Sequence, residues 1–163
     1  MGRAHDGKAA DMETDAAAGH RSWPEHLRPG AVRFSWSSAH YDETVTFYRD
    51  VVGLPVLEEF SGSFDEDGTI LGLPGLLTHV EIVRAGEAVP AVDRLDQLVF
   101  YLPGPEAMAT ATQPLRDAGV PTDPDPHPYW VARGAAVHLD PDGRRVVFAP
   151  WVFGAEPEPD SGS

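Results

Sequence analysis

Two stretches of this chain carry the same punctuation at the same spacing, and that repetition narrows the possible folds more than any single motif does. Arg49-Asp50 stands just before Gly53 and Pro55, and Arg116-Asp117 stands just before Gly119 and Pro121, one residue tighter. Counting 26 positions on from Gly53 reaches His79, and 26 on from Gly119 reaches Arg145, each inside an apolar, alternating segment. Equal spacing from a helix stop to a later strand marks an internal duplication, in which each copy is one supersecondary unit.

In the first copy, residues 31–37 (AVRFSWS) alternate Val32, Phe34 and Trp36 with Arg33, Ser35 and Ser37, the period of a half-buried strand. From Asp42 to Val52, Val45, Tyr48 and Val52, with Phe47 and Val51 beside them, follow the helical period; Asp42 is placed to cap and Gly53 to stop. Strands are expected at 55–60, around 69–72 and at 78–83, with an acidic turn at 61–68 and a second turn at Leu73-Pro74-Gly75. The second copy offers a strand at 96–102 and a helix from Pro105 to Ala118 that Pro114 should kink or shorten. A loop or strand through 121–130, a strand at 134–139, the turn Asp140-Pro141-Asp142-Gly143 and a strand at 144–149 complete it.

Each copy therefore reads βαβββ. The fold class is α+β: two tandem modules, at 23–90 and 91–153, whose curved sheets form around a central cavity. The folded part is expected to begin near Trp23-Pro24. Residues 1–22 and 154–163 show no sustained period and are expected to be disordered tails.

Because alternate residues of a strand point to opposite faces, two sets follow. One holds Val32, Phe34, Trp36, Val80, Ile82, Leu98, Phe100, Leu102, Val146 and Phe148 and suits packing beneath the helices. The other holds Arg33, Ser35, Ser37, His79, Glu81, Gln97, Val99, Tyr101, Arg145 and Val147, rich in hydrogen-bonding groups. On a flat, solvated sheet such a mixture needs no explanation. On curled sheets Arg33, His79, Glu81, Gln97 and Tyr101 would converge as the orienting groups of a pocket.

Composition limits the partners. The formal charge of −14 comes from 26 acidic and 12 basic residues, and residues 31–153 alone carry 18 acidic against 8 basic side chains. Such a field repels phosphate backbones and anionic lipid, so neither nucleic acid nor membrane is an expected partner, and a cationic ligand is favoured. No apolar run approaches the roughly 18 residues of a membrane span. The absence of Cys removes disulfides and thiolate metal sites and fits a cytoplasmic protein.

The helix Asp42-Glu43-Thr44-Val45-Thr46-Phe47-Tyr48-Arg49-Asp50, running into Gly53-Leu54-Pro55, resembles the first helix of the vicinal oxygen chelate superfamily, which includes glyoxalases, bleomycin resistance proteins and extradiol dioxygenases. The closing Asp140-Pro141-Asp142-Gly143-Arg144-Arg145-Val146-Val147-Phe148 resembles the hairpin of its second module, so the likeness runs from about 31 to 151. His127-Pro128-Tyr129-Trp130 further resembles a bacterial branch with an Asn-Pro-Tyr-Trp-like loop, with His in place of Asn. In metal-using members the ligands come from the first and last strands of each module, places that fall here at Arg33, Glu81, Gln97 and Val147. Arg33 would repel a cation and Val147 has no donor atom, so no metal and no other cofactor is expected.

Without a cation, Arg33 either binds an anionic group of a ligand or forms a structural ion pair with Glu81. His79 is either a hydrogen-bonded structural residue or, with Glu81, an acid or base facing the cavity. Tyr129 and Trp130 either cover a ligand or plug a core edge or a dimer seam. The resemblance implies a homodimeric small-molecule binding protein of the bleomycin resistance type. The alternative is a lyase or dioxygenase-like enzyme using His79 and Glu81, with or without a divalent metal.

Overall fold

The computed structural model describes residues 26–27, 29–73, 75, 77–86, 91–152 and 154–158. The expected tail at 1–22, the expected start at Trp23-Pro24, Pro74 of the expected turn and residues 159–163 of the expected C-terminal tail lie outside them. The chain divides at Gly30/Ala31 into two units, and the fold is that of the second.

Its first half runs β1 (Val32–Ser38), α1 (Tyr41–Thr46, continued by a π-helical turn Phe47–Val51), β2 (Val56–Ser63), β3 (Glu66–Gly72) and β4 (Thr78–Arg84). The second half runs β5 (Gln97–Tyr101), α2 (Pro105–Asp117), the short helix α3 (Pro128–Val131), β6 (Ala136–Leu139) and β7 (Arg145–Ala149). The first sheet has the order β1-β4-β3-β2, with β1 parallel to β4 and the other neighbours antiparallel. The second has the order β5-β7-β6, with β5 parallel to β7 and β6 antiparallel to it. The halves are thus two tandem modules of one α+β fold with curved sheets. In the second, the outermost strand is reduced to a single bridge, Thr122 to His138. Pro121, Pro124 and Pro126 remove the amides that a ladder there would need.

Three local expectations change. The β2–β3 turn is the pair Phe64-Asp65, both at positive φ (52° and 67°), so the strands run on through most of the expected 61–68 turn. Tight hairpins need positive φ at both central residues, normally supplied by Asn or Gly, and neither is present to announce this one. Helix α2 continues past Pro114 to Asp117. Pro114 is exposed, so water can solvate the carbonyl that loses its helical donor. Asp42 does not cap α1: it is exposed and pairs with Arg84 at 2.7 Å, while the N-cap position is His40.

In the π-helical turn Val52 donates its amide to Phe47 at 3.0 Å, and Leu54 then bonds to Tyr48 at 2.9 Å. The widened turn lets consecutive residues Phe47 and Tyr48 both be buried. Gly53 ends it at φ 88°, a conformation a side chain would oppose.

One core joins the modules. Phe47, Tyr48, Leu71, Val80 and Ile82 from the first pack with Leu115, Val146 and Phe148 from the second. Val32 and Phe34, assigned to this core by their period, are instead 40% and 63% exposed. Strand β1 is an edge strand, whereas β3, β4 and β7 each have a neighbouring strand on both sides.

Candidate functional site

Strand β1 lies beside β4 with Arg33 opposite His79 and Ser35 opposite Glu81. Across β4, Gly72 is opposite His79 and Ile70 opposite Glu81, and Glu58 of β2 follows opposite Ile70. Paired residues share a face, so these registers build a polar surface turned away from the helices. On it Arg33 Nη1 donates to Glu81 Oε1 at 3.3 Å, with 47% of the arginine side chain exposed and 16% of the glutamate's. A cavity of about 320 Å³ lies against the pair, lined also by Glu58, Phe60, Phe64 and Ile70. Phe60 lies across Gly68, where any β-carbon would collide with its ring. His79 is half-buried and, among the described residues, its side chain has no hydrogen-bond partner.

Sequence reasoning found Arg33 and Glu81 but missed Glu58, Phe60, Phe64 and Ile70. The signal was obscured because β2 carries register shifts at Val56/Glu58 and Phe60/Ser63, which break the period of 2.

The matching face of the second sheet is filled from within the chain. Trp130 and Trp151, each 5% exposed, stack at 6.1 Å and pack with Val137, Val147 and Ala149 as a second small core. Trp130 Nε1 donates to Gln97 Oε1 at 3.0 Å, so Trp130 plugs this face and takes up the Gln97 carbonyl. His127 Nδ1 accepts the Tyr129 amide at 3.1 Å and starts the short helix that positions Trp130. Arg145 holds the loop down through the Asp123 carboxylate and the carbonyls of Arg94 and Asp125. Tyr129 and Tyr101 stay partly open, 36% and 37% exposed. Tyr129 stands edge-on to Trp130 with the Arg133 guanidinium 4.2 Å over its ring, and Tyr101 stands edge-on to Trp151. Partial burial, with Tyr129 and Glu156 nearby, pushes the Tyr101 phenol up from its ordinary range.

Of the seven predicted site residues, Arg33, His79 and Glu81 share the first sheet's face, and Gln97, Tyr101, Tyr129 and Trp130 belong to the second module. The cavity beside Arg33 and Glu81 does not include Gln97, so they do not converge on one hollow. The four ligand positions of the metal-using pattern do not suit a metal. Arg33 already occupies the Glu81 carboxylate, Gln97 is engaged by Trp130, and Val147 is fully buried without a donor atom. Among the described residues no group of three or more His, Cys, Asp or Glu is placed to hold an ion. Nor is any helix among them long and apolar enough to cross a membrane.

The same architecture is found in solved structures. The trypanothione-dependent glyoxalase I of Leishmania major matches with TM-score 0.55 at 17% identity, over 72% of this chain and 84% of that one. The fosfomycin resistance protein FosX of Listeria monocytogenes matches with TM-score 0.58 at 14% identity, over 78% and 96%. Paired modules of this topology are the fold these glyoxalase and fosfomycin resistance structures share with the chain. Residues 32–83 match the model of the YycE-like N-terminal domain and residues 93–150 that of the YycE-like C-terminal domain. The chain is 32% identical over 119 residues to protein YycE of Bacillus subtilis (strain 168), covering 72% of this chain and 85% of that protein. A crystal structure of YycE from Bacillus subtilis, of unknown function and placed with glyoxalase/fosfomycin resistance proteins, superposes with TM-score 0.71 at 28% identity, over 82% and 99%. The chain belongs to the YycE-like family.

Proposed function

We propose that this protein binds a small organic molecule against the open face of its first sheet, oriented by Arg33 and Glu81 and without a metal ion. The observation that carries this reading is the Arg33–Glu81 pair at the edge of a partly apolar cavity, where the Glu81 carboxylate, held in place by the guanidinium, can orient a cationic group. Glu58, Glu66 and Glu81 outnumber Arg33 around that cavity, which favours a ligand with a cationic group beside an apolar one on Phe60 and Ile70.

Isothermal titration of the full chain with cationic glycopeptide antibiotics and other cationic drugs, in buffer containing EDTA, tests this. Saturable heat is expected, with affinity falling about tenfold, or roughly 1.4 kcal/mol, in Glu81→Gln. No heat across the set, or heat that appears only on adding a divalent metal, would overturn it.

A second reading rests on His79, whose side chain has no hydrogen-bond partner among the described residues and which shares a strand face with Glu81. In an enzyme these two would be acid and base for a lyase-like or dioxygenase-like reaction. Turnover that survives both His79→Ala and Glu81→Ala removes them from any mechanism. We also read the protein as a cytoplasmic homodimer. The cysteine-free composition supports the compartment, and the exposed Leu57, Phe64 and Leu77 of the first module support self-association. Sedimentation at micromolar concentration checks the dimer.

A further inference from the structure

A second cavity, of about 430 Å³, lies where the edges of the two sheets meet, lined by Phe34, Trp36, Leu95, Gln97, Leu98 and Arg144. It shares no lining residue with the cavity beside Arg33 and Glu81. Most of its wall is apolar, yet Phe34 and Leu95 are 63% and 64% exposed, far more than residues filling a core gap. Two of its lining residues carry buried donors without a hydrogen-bond partner, Trp36 Nε1 and Arg144 Nη1, the latter held only by a long ion pair. Arg144 is only 8% exposed and, among the described residues, its guanidinium donates no hydrogen bond. Among the described residues its ion pair is Nη1 with Asp140, 3.5 Å long, and its guanidinium carbon lies over the Trp36 ring, 4.7 Å from the ring centre. A buried donor without an acceptor is costly, and the Trp36 indole N–H beside an apolar hollow, with Arg144 held only by a long ion pair, suits an incoming acceptor.

Charge selects the kind of acceptor. Asp140 already balances Arg144, and Asp96 adds a further carboxylate to the cavity wall of a chain that carries −14 overall. A carboxylate entering here would meet net negative charge, whereas a neutral carbonyl oxygen would take the N–H groups without it. We propose that this seam is a separate binding site for a compact apolar molecule bearing a neutral carbonyl, such as an aromatic amide. The oxygen lies at Arg144 and the Trp36 indole N–H, and the ring lies on Phe34, Leu95 and Leu98. Phe34, on an edge strand and largely exposed, is the side chain that swings to admit it.

Benzamide, benzoate and toluene serve as probes, titrated into the full-length ¹⁵N-labelled protein while the Trp36 indole N–H resonance is followed, assigned through Trp36→Phe. Benzamide is expected to shift that resonance saturably with a Kd on the order of 1 mM, fitting for a ligand of its size. Benzoate is expected to bind about tenfold more weakly, and toluene to leave the indole N–H unmoved. Leu95→Asp, at an exposed position that the fold does not need, is expected to weaken benzamide about tenfold. Trp36→Phe removes the indole donor together with its resonance, so binding to this variant is followed through the backbone amides of Gln97 and Leu98, where benzamide is expected to weaken and toluene is not. An unmoved indole resonance, equal response to toluene, benzoate binding as tightly as benzamide, or benzamide affinity unchanged in both Leu95→Asp and Trp36→Phe would each overturn the proposal.

Discussion

Helix α1 begins without a side-chain cap of its own, since His40 occupies the N-cap position and makes no capping bond. The missing acceptor comes from Asp142, about a hundred positions away in the second module's hairpin turn. One carboxylate oxygen accepts the amides of Ala39 and His40, each at 3.2 Å, and lies 3.0 Å from His40 Nδ1; the other accepts the Thr44 hydroxyl at 3.2 Å. Burial alone would raise the Asp142 pKa, but hydrogen bonds from Ser38, His40 and Thr44 together hold it below the usual carboxylate range. A folded value below the unfolded one, about 3.9, means that this stabilisation is present above that pH and is lost as pH falls through the folded value. Asp140 has the opposite sign, because burial raises its pKa against the Arg144 amide and the Tyr48 hydroxyl, and so it cannot cause that loss. Asp142→Ala is expected to cost about 2 kcal/mol at neutral pH. Asp142→Asn is expected to flatten the fall in urea midpoint below about pH 4, and an unchanged acid limb would detach the effect from this residue.

Among the elements, α2 carries an avoidable cost. Pro114 sits inside a 13-residue helix, leaves the Thr110 carbonyl without its helical donor and is itself exposed. Pro114→Ala is expected to stabilise by about 2 kcal/mol after allowing for the freer unfolded chain, raising Tm by roughly 5 °C in calorimetry. A fall in Tm would show that the ring holds the helix in place by packing. This element also marks how far the sequence could be read. Strands β1 and β4 were legible because apolar and polar residues alternate along them, and β5 and β7 because short apolar runs stand between turn signals, although β1 is exposed along most of its length and β7 buried throughout. The Phe64-Asp65 turn was not, because ordinary side chains hold positive φ there, and neither was the π-helical turn, whose apolar residues also satisfy a plain helix. At the site, Arg33 and Glu81 could be paired through the resemblance, which sets both at ligand positions of the first module. That Trp130 fills the second face could not, because its position depends on Arg145 reaching Asp123 and on His127 starting a helix of four residues.

At the scale of the whole molecule, the duplication does not yield two independent folding units. Tyr48 of the first module is fully buried among residues of both modules and donates its hydroxyl to Asp140 at 2.9 Å, while Leu115, also fully buried, lies in the same core as Val80 and Ile82. A core that neither half can close alone makes unfolding cooperative across both sheets, since exposing one half strips apolar cover from the other. Leu115→Ala, in the second module, removes three buried carbons and is expected to cost about 3 kcal/mol. If the core is shared, hydrogen exchange of the slowest amides in β4 accelerates by the same free energy as that in β7, although β4 lies in the other module. If protection fell in β5–β7 while β1–β4 kept theirs, the modules would be separable. The seam cavity between them would then open and close with their relative motion instead of being fixed by the common core.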